Sequence, residues 1–184
     1  MCLLISAYVA DLIFGDPEWF PHPVRWMGKL ITILENKLRG DAGKTIERVK
    51  GAILAFWVIG ISASLAYLLL KSYRGLNPLL GNLIWVYLGY TTLSIKDLRI
   101  KTKSILRELE KKSMLEARRQ LSKIVGRDTQ DLSQEEIITA SVESVAESTN
   151  DGIVAPLFYL ALGGPVLAIS YKAINTLDSM IGHK

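Results

Sequence analysis

Long uncharged apolar runs are the main feature of the hydropathy pattern. Residues 51–70 are twenty in a row without a charge, which at about 1.5 Å per residue covers about 30 Å, the thickness of a bilayer's hydrocarbon core. Residues 79–95 and 153–171 are also uncharged. The pattern predicts an all-α, polytopic integral membrane protein, with residues 1–184 forming a single membrane domain.

The first apolar segment, residues 1–14, predicts a short membrane helix that is retained. A signal peptide is not expected, because a basic n-region is missing and Asp11 interrupts the run. An ionisable group at membrane depth is costly and usually functional. If the helix is short, however, Asp11 simply lies at its end.

The segment that follows, residues 15–28, contains three prolines. Because proline disrupts regular structure, we expect a shaped loop at the membrane surface and no regular helix.

Basic residues are unevenly distributed between the apolar runs. Residues 15–50 hold seven Lys and Arg, residues 96–152 hold eleven, and the connection 71–78 holds two. Because cytoplasmic loops collect Lys and Arg, the runs 51–70 and 79–95 are predicted to form a hairpin with both long loops in the cytoplasm. The basic loop 96–152 also holds eleven acids, so nucleic-acid binding has little support.

The cytoplasmic region 96–152 is predicted to be helical and amphipathic. Residues 100–125 mix apolar positions with charges, and Ser113 followed by Glu116 is a candidate capping box that divides them into two helices. Ser133 with Glu136 is a sharper helix start. The sequence Asn-Asp-Gly at 150–152 predicts a turn that ends this helix.

The last apolar run, residues 153–171, is interrupted by Pro156 and by Gly-Gly-Pro at 163–165. It either crosses as a kinked helix or enters and returns as a broken pair. Only the returning form brings the polar residues at its two ends to one face. Beyond it, Lys172, Asn175 and Ser179 share one side of a predicted helix.

Several polar residues have both a functional and a structural interpretation. Glu143 and Glu147 lie four apart on one helix face, and with Asp151 they are candidate ligands for Mg²⁺; the alternative is a solvated helix face. His22 is a candidate general base or ligand, or a structural turn residue. The segment 40–45, GDAGKT, lacks the first glycine of a phosphate-binding loop and any preceding strand, so we expect an ordinary turn.

Several separate motifs follow one another along the chain. They are Asp11, GDP at 15–17, HPV at 22–24, AR at 117–118, GRDT at 126–129, residues 143–159, GGP at 163–165 and residues 171–184. Together they resemble the adenosylcobinamide-phosphate synthase family, the CobD/CbiB membrane proteins of cobalamin biosynthesis. The resemblance covers essentially the whole chain, and its most specific stretch is ESVAESTNDGIVAPLFY. Because family members continue beyond the position of Lys184, the chain resembles an N-terminal portion of them.

The resemblance implies an ATP-dependent carbon–nitrogen ligase that joins adenosylcobyric acid to aminopropanol or its phosphate. It implies ATP as cosubstrate, a corrinoid substrate, and Mg²⁺ on Glu143, Glu147 and Asp151. Asp16 or His22 would accept the amine proton. Binding of substrate or phosphate is assigned to Arg25, Arg127, Lys172, Asn175 and Asp178.

The implied setting is the cytoplasmic membrane, with the main polar loops in the cytoplasm. Candidate partners beyond the substrates and the bilayer are a second copy of the chain or other membrane enzymes of the pathway, and no nucleic acid. The alternative is a non-catalytic membrane scaffold or transport component, although no inverted repeat supports transport. A membrane prenyl or alcohol-phosphate transferase would want paired Asp motifs, which the lone Asp178 does not supply.

Overall fold

The computed structural model describes residues 2–17, 19, 21–38 and 44–182, and the regular elements in this part of the chain are all helical. The glycine-containing part of the candidate phosphate loop, residues 40–43, lies outside them. The α-helices are α1 (Cys2–Phe14), α2 (Pro23–Leu38), α3 (Lys44–Leu76), α4 (Pro78–Tyr90), α5 (Ile95–Glu110), α6 (Met114–Leu121), α7 (Gln134–Thr149) and α8 (Ala155–Ile181).

Helix α3 carries the uncharged run 51–70 and, with 33 residues, is about 50 Å long. Two helical stretches, Thr45–Leu76 and Gln134–Ile181, are long and apolar enough to cross a membrane. Only 28% and 33% of their most apolar windows are buried within the protein, whereas the core helix of a soluble protein is mostly buried. A lipid environment accounts for so much exposed apolar surface.

Helix α4 is shorter than the uncharged run 79–95 suggests. It has 13 residues, about 20 Å, and covers only part of a bilayer's hydrocarbon core. At the end of the helix the hydroxyls of Thr91 and Thr92 donate to the carbonyls of Leu88 and Gly89, at 2.9 and 2.7 Å, and so satisfy two of its last carbonyls. The chain then turns into α5. The run 79–95 therefore does not cross the bilayer as one continuous helix, contrary to the expectation of a full second crossing.

Helix α8 reverses direction at Gly163 and Gly164. Gly164 has φ +67°, a conformation that favours glycine, and Pro165 begins the second limb. The rings of Tyr159 and Tyr171 stack with centroids 4.9 Å apart, although twelve residues of straight helix would separate them by about 18 Å. The run 153–171 therefore has the returning form. Its two limbs, residues 155–162 and 165–181, form a helical hairpin, and the word hairpin refers to these limbs from here on.

The predicted turn at residues 150–152 is wrong. Asn150–Val154 instead form a π-helical turn that links α7 continuously to the first limb of α8. The backbone N–H of Ser94 donates to the carbonyl of Gly152 at 3.0 Å, and a Cβ at Gly152 would lie 3.2 Å from Ser94 Oγ. This close approach fixes Ser94, the residue directly before α5, against the π-helical turn that precedes α8.

Two other helix boundaries differ from the predictions. Pro23 begins α2, so residues 23–28 are helical, because a proline at the first helical position loses no intrahelical hydrogen bond. Residues 100–125 are divided near Ser113 as predicted, but its side chain makes no capping hydrogen bond. At the start of α7 the predicted capping box of Ser133 and Glu136 is confirmed.

The helices pack around separate apolar cores. One lies between α2, α3, α4 and the second limb of α8, and includes Met27, Val58 and Ile169. Another joins α5, α6 and α7 through Ile105 and Leu121, among others. The helices α5–α7 thus form a small unit beside the long apolar helices, as the amphipathic pattern of residues 96–152 predicts.

The packing face of α7 does not include all of its large apolar residues. Ile137, Ala140 and Ser144 are its buried residues, whereas Ile138 and Val142 are 45% and 65% exposed.

The hairpin predicts that both ends of residues 148–179 are accessible from one side of a membrane. In a Cys2→Ser background, single Ser148→Cys and Ser179→Cys variants should react with an impermeant maleimide added to the same side. Ser72→Cys, at the far end of α3, is the matched control and should react from the other side. Labelling of positions 148 and 179 from opposite sides would contradict the hairpin.

Gly164→Ala is expected to destabilise the protein by about 1–2 kcal/mol, the cost of a left-handed conformation for alanine. The added Cβ would also lie 3.2 Å from Trp85 Nε1. Gly60→Ala is the control, because a Cβ there meets nothing within 4 Å. Unfolding titrations in mixed micelles measure both changes, and equal stabilities of the two variants would argue against a strained turn.

Candidate functional site

Asp11 connects α1 to the start of α5. It is 1% exposed, and its Oδ2 accepts hydrogen bonds from the backbone N–H groups of Ile95 and Lys96, at 2.8 and 3.3 Å. In return, Lys96 Nζ donates to the carbonyls of Ile13 and Phe14 at the end of α1. Each helix thus satisfies the other's unpaired end groups, which is the short-helix interpretation of Asp11.

The loop between α1 and α2 brings Asp16 and His22 together. His22 Nε2 donates to Asp16 Oδ1 at 2.9 Å, and the imidazole is 5% exposed. Arg25 Nη2 lies 3.7 Å from the same Asp16 oxygen and donates to the carbonyl of Pro17 at 2.8 Å. Gly15, at φ +63°, makes the turn that starts this loop. These contacts join three sequence-predicted site residues, Asp16, His22 and Arg25.

The carboxyl of Asp16 stays ionised at neutral pH because of its charged neighbours. Burial by itself would raise the pKa of Asp16, but the hydrogen bond and charge of His22 and the charges of Arg25 and Lys172 outweigh it and lower that pKa. Lys172 belongs to the second limb of α8, so its electrostatic effect on Asp16 links the loop to the hairpin.

A second polar cluster forms where the two ends of the hairpin meet. Asp151 accepts hydrogen bonds from Asn175 Nδ2 at 3.1 Å and from the Tyr171 hydroxyl at 3.3 Å. These partners are 24 and 20 residues away in the chain, and they come together only because α8 reverses. Asn150 Nδ2 donates to the same carboxylate at 2.9 Å, so the orientation of Asp151 is well determined.

This cluster opens into a polar cleft of about 680 Å³ between α5, α7 and the second limb of α8. Lys172, Asn175 and Ser179 line it together, as their predicted common helix side requires. The charged lining residues are Asp97, Lys101, Lys123, Glu147, Asp151 and Lys172. Carboxylates suit a divalent cation and ammonium groups suit phosphate oxygens, so the cleft has the chemistry to bind both.

Sequence reasoning missed three of the charged groups in this cleft. Asp97 and Lys101 form an ion pair at 2.7 Å on α5, and Lys123 Nζ donates to Gln120 Oε1 at 2.9 Å. The available signal was weak, since an Asp and a Lys four apart on an amphipathic helix are also typical of a solvated face.

Besides the loop residues Asp16, His22 and Arg25, three predicted site residues lie outside the cleft, namely Glu143, Arg127 and Asp178. Arg127 Nη2 is 3.5 Å from Glu143 Oε2, and both side chains are largely exposed. Arg127 lines a different pocket of about 620 Å³ together with Arg118 and Arg119. Asp178 is exposed on α8, and no ion pair joins it to Lys172 in the described part of the chain.

The three carboxylates predicted to hold magnesium are not gathered into one group. Among the described residues, no three Asp, Glu, His or Cys side chains lie close enough to hold a metal ion together. Glu147 and Asp151 do line the same cleft, one helical turn apart, whereas Glu143 faces Arg127. Mg²⁺ commonly takes one or two carboxylates and completes its shell with phosphate and water oxygens, so this pair fits it.

These features define a helical protein with membrane-type apolar helices and a polar cleft at one end of a returning hairpin. The CobD/CbiB protein family matches residues 4–184, and the chain belongs to this family of cobalamin biosynthesis proteins.

Similar relatives include cobalamin biosynthesis protein CobD of Geobacter metallireducens, 45% identical over 99% of this chain and 57% of its own length. CbiB of Salmonella typhi is 43% identical over 97% of the chain and 56% of its own length. CobD of Halalkalibacterium halodurans is 43% identical over 98% of the chain and 56% of its own length. The chain thus spans little more than half the length of these relatives. No solved structure matches it.

Replacing His22 should change how stability responds to acid. Because the pKa of Asp16 is lower in the folded than in the unfolded state, its contribution is present above the unfolded pKa and is lost as pH falls through the folded pKa. In His22→Ala the hydrogen bond and charge of His22 no longer counter the effect of burial on Asp16, so the pKa of Asp16 rises. The stability that Asp16 contributes is then lost at higher pH.

Melting temperatures in detergent, measured between about pH 3 and 7, test this change. The acid limb, which is the fall in melting temperature at low pH, should lie at higher pH in His22→Ala than in the wild type. Asp16→Asn is the control, since adding His22→Ala to it should shift the limb no further. Superimposable acid limbs of the wild type and His22→Ala would refute the coupling.

Proposed function

We propose that this chain acts in cobalamin biosynthesis by forming an amide bond between adenosylcobyric acid and aminopropanol or its phosphate, driven by ATP. The observation that carries the proposal is the cleft in which the hairpin brings Asp151, Lys172 and Asn175 together with Glu147. The family supports the pathway, and the mixture of carboxylate and ammonium groups supports a reaction that involves phosphate.

Lys172 is the residue best placed to bind a substrate anion. Its side chain lines the cleft together with Asp151, and the carboxylates of Asp151 and Asp16 both favour its charged form. Asn175 reaches the same cleft and is held in place by its hydrogen bond to Asp151. Lys101 and Lys123, on the opposite wall, supply further positive charge for a phosphorylated substrate.

Glu147 and Asp151 are the residues that would hold Mg²⁺. ATP with Mg²⁺ would supply the phosphoryl group that makes a carboxylate reactive towards an amine. The three lysines that line the cleft would neutralise the phosphate oxygens, and the two carboxylates leave the remaining positions of the metal for phosphate and water. Glu143 has no place in this arrangement, because it faces Arg127 outside the cleft.

The Asp16–His22 pair is proposed to accept the proton that the amine loses as the carbon–nitrogen bond forms. The imidazole donates from Nε2 to Asp16, which orients the ring and leaves its other nitrogen as an acceptor. Arg25, bonded to the carbonyl of Pro17, fixes the shape of the loop. Arg127 and Asp178 are proposed only as contacts for the outer parts of a large substrate.

The proposed location is the cytoplasmic membrane, with the cleft on the cytoplasmic side. The positive-inside rule supports this orientation, because the α5–α7 unit that forms one wall of the cleft carries eleven of the 22 Lys and Arg residues. The cytoplasm is also where ATP is available.

Membranes that contain the chain should convert adenosylcobyric acid, aminopropanol phosphate and Mg-ATP to adenosylcobinamide phosphate. Mass spectrometry of the corrinoid fraction measures the product. Product from membranes with the longer Geobacter metallireducens relative, but none from membranes with this chain, would refute the proposal for this chain.

Glu147→Gln is expected to lower turnover by at least about a hundredfold, because it removes one of two carboxylates that would hold the metal. Its matched control is Glu135→Gln, the same change at an exposed position near the start of α7, which should retain turnover within about twofold. If the Glu147→Gln protein inserted into the membrane and its turnover were unchanged, Glu147 would not be a ligand of the metal.

A further inference from the structure

A second charged pocket lies at the other end of the hairpin, away from the cleft. It has a volume of about 360 Å³ and is formed where the turn of α8 meets α3 and α4. Lys71 and Arg74 supply its charge, and the aromatic side chains of Tyr67 and Trp85 line it. None of its lining residues is acidic, which distinguishes it from the cleft.

The residue types of the pocket are typical of a membrane interface. Lys71 is the first charged residue after the uncharged run 51–70 of α3, so it marks one boundary of the hydrocarbon region. Tyr and Trp are typical of the same level, because their rings prefer the zone between headgroups and acyl chains. Tyr67 and Trp85 are therefore the residue types expected beside lipid headgroups.

Lys71 and Arg74 have no acidic partner among the residues that the structure describes. They are three residues apart and share a face of α3, an arrangement that is unfavourable for like charges. Lys71 Nζ lies 5.9 Å from the centre of the Tyr67 ring, and no ion pair involves Lys71 or Arg74 within the described residues. A bound anion would offset the repulsion between them.

Packing directs Arg74 towards α4 without any ligand. Gly81 of α4 is buried, and a Cβ there would clash with the Arg74 side chain and lie 3.0 Å from its Cα. The missing side chain at Gly81 thus makes room for the stem of Arg74. Because the aliphatic part of the Arg74 side chain is already packed, less conformational entropy is lost when its guanidinium binds an anion.

We propose that Lys71 and Arg74 bind the phosphate of an anionic membrane lipid at the tip of the hairpin. Phosphate matches the chemistry, because guanidinium binds its oxygens in pairs and ammonium adds a point charge. A lipid supplies the phosphate at this level, with its acyl chains against the exposed apolar surface of α3. The bound headgroup would hold the turn at Gly163 and Gly164 at the interface.

Native mass spectrometry of the detergent-purified chain tests the proposal directly. With equal amounts of phosphatidylglycerol and phosphatidylcholine, the wild type should retain phosphatidylglycerol preferentially. Lys71→Gln/Arg74→Gln should weaken that binding at least about tenfold. Arg107→Gln/Lys112→Gln, with the same change in charge on exposed residues of the α5–α6 region, should leave it unchanged.

A charge-preserving variant separates loss of binding from loss of fold. Lys71→Arg/Arg74→Lys should keep the preference for phosphatidylglycerol, and both Lys71/Arg74 variants should melt like the wild type in phosphatidylcholine. If Lys71→Gln/Arg74→Gln and Arg107→Gln/Lys112→Gln weakened phosphatidylglycerol binding equally, the proposal would be overturned. Competition by soluble glycerol phosphate at the concentration of the lipid would overturn the assignment to a lipid.

Discussion

The reversal of α8 at Gly163 and Gly164 is the constraint on which the rest of this structure depends. A straight helix would place Asp151 and Asn175 about 36 Å apart, whereas their side chains are hydrogen bonded. The turn requires a positive φ at Gly164 and close packing on Trp85. Both polar ends of an apolar segment thereby reach the same side, and the cleft between them exists only because of this reversal.

The second requirement is that α5 lies beside the hairpin, and this placement rests on paired helix ends. Asp11 satisfies the first N–H groups of α5, and Lys96 satisfies the last carbonyls of α1. The Ser94–Gly152 hydrogen bond adds a direct link to the π-helical turn. Together these contacts place Asp97 and Lys101 opposite Lys172. A buried acid that first suggests chemistry therefore has a positioning role.

The charged groups are divided between the two ends of the apolar helices. The cleft contains both carboxylates and ammonium groups, which suits a phosphate bound with a cation, whereas the pocket at the turn contains cations alone. In this member of the CobD/CbiB family, the mixed cleft and the cationic pocket therefore differ in the ligands that their charges suit. The pairing of Asp16 with His22, and its electrostatic link to Lys172, extends the same region to the loop before α2.

Local patterns in the sequence determined several features by themselves. These features are the helix through residues 51–70, the capping box at Ser133 and the common side of Lys172, Asn175 and Ser179. They follow from charge-free length, hydrogen-bonding chemistry and helical period, all of which act within one segment of the chain. The motifs also identified the family. The sequence left open whether residues 153–171 cross or return, because glycine permits both a kink and a reversal.

Tertiary structure alone decided which carboxylates share a site. Helical spacing put Glu143 and Glu147 on one face of α7, but packing on Ile137 and Ala140 turned Glu147 into the cleft and left Glu143 beside Arg127. The contribution of Asp97 and Lys101 was likewise hidden, because their own helix gives no sign of what lies opposite. Periodicity fixes the angle between side chains on a helix, whereas the packing of neighbouring helices decides what each side chain meets.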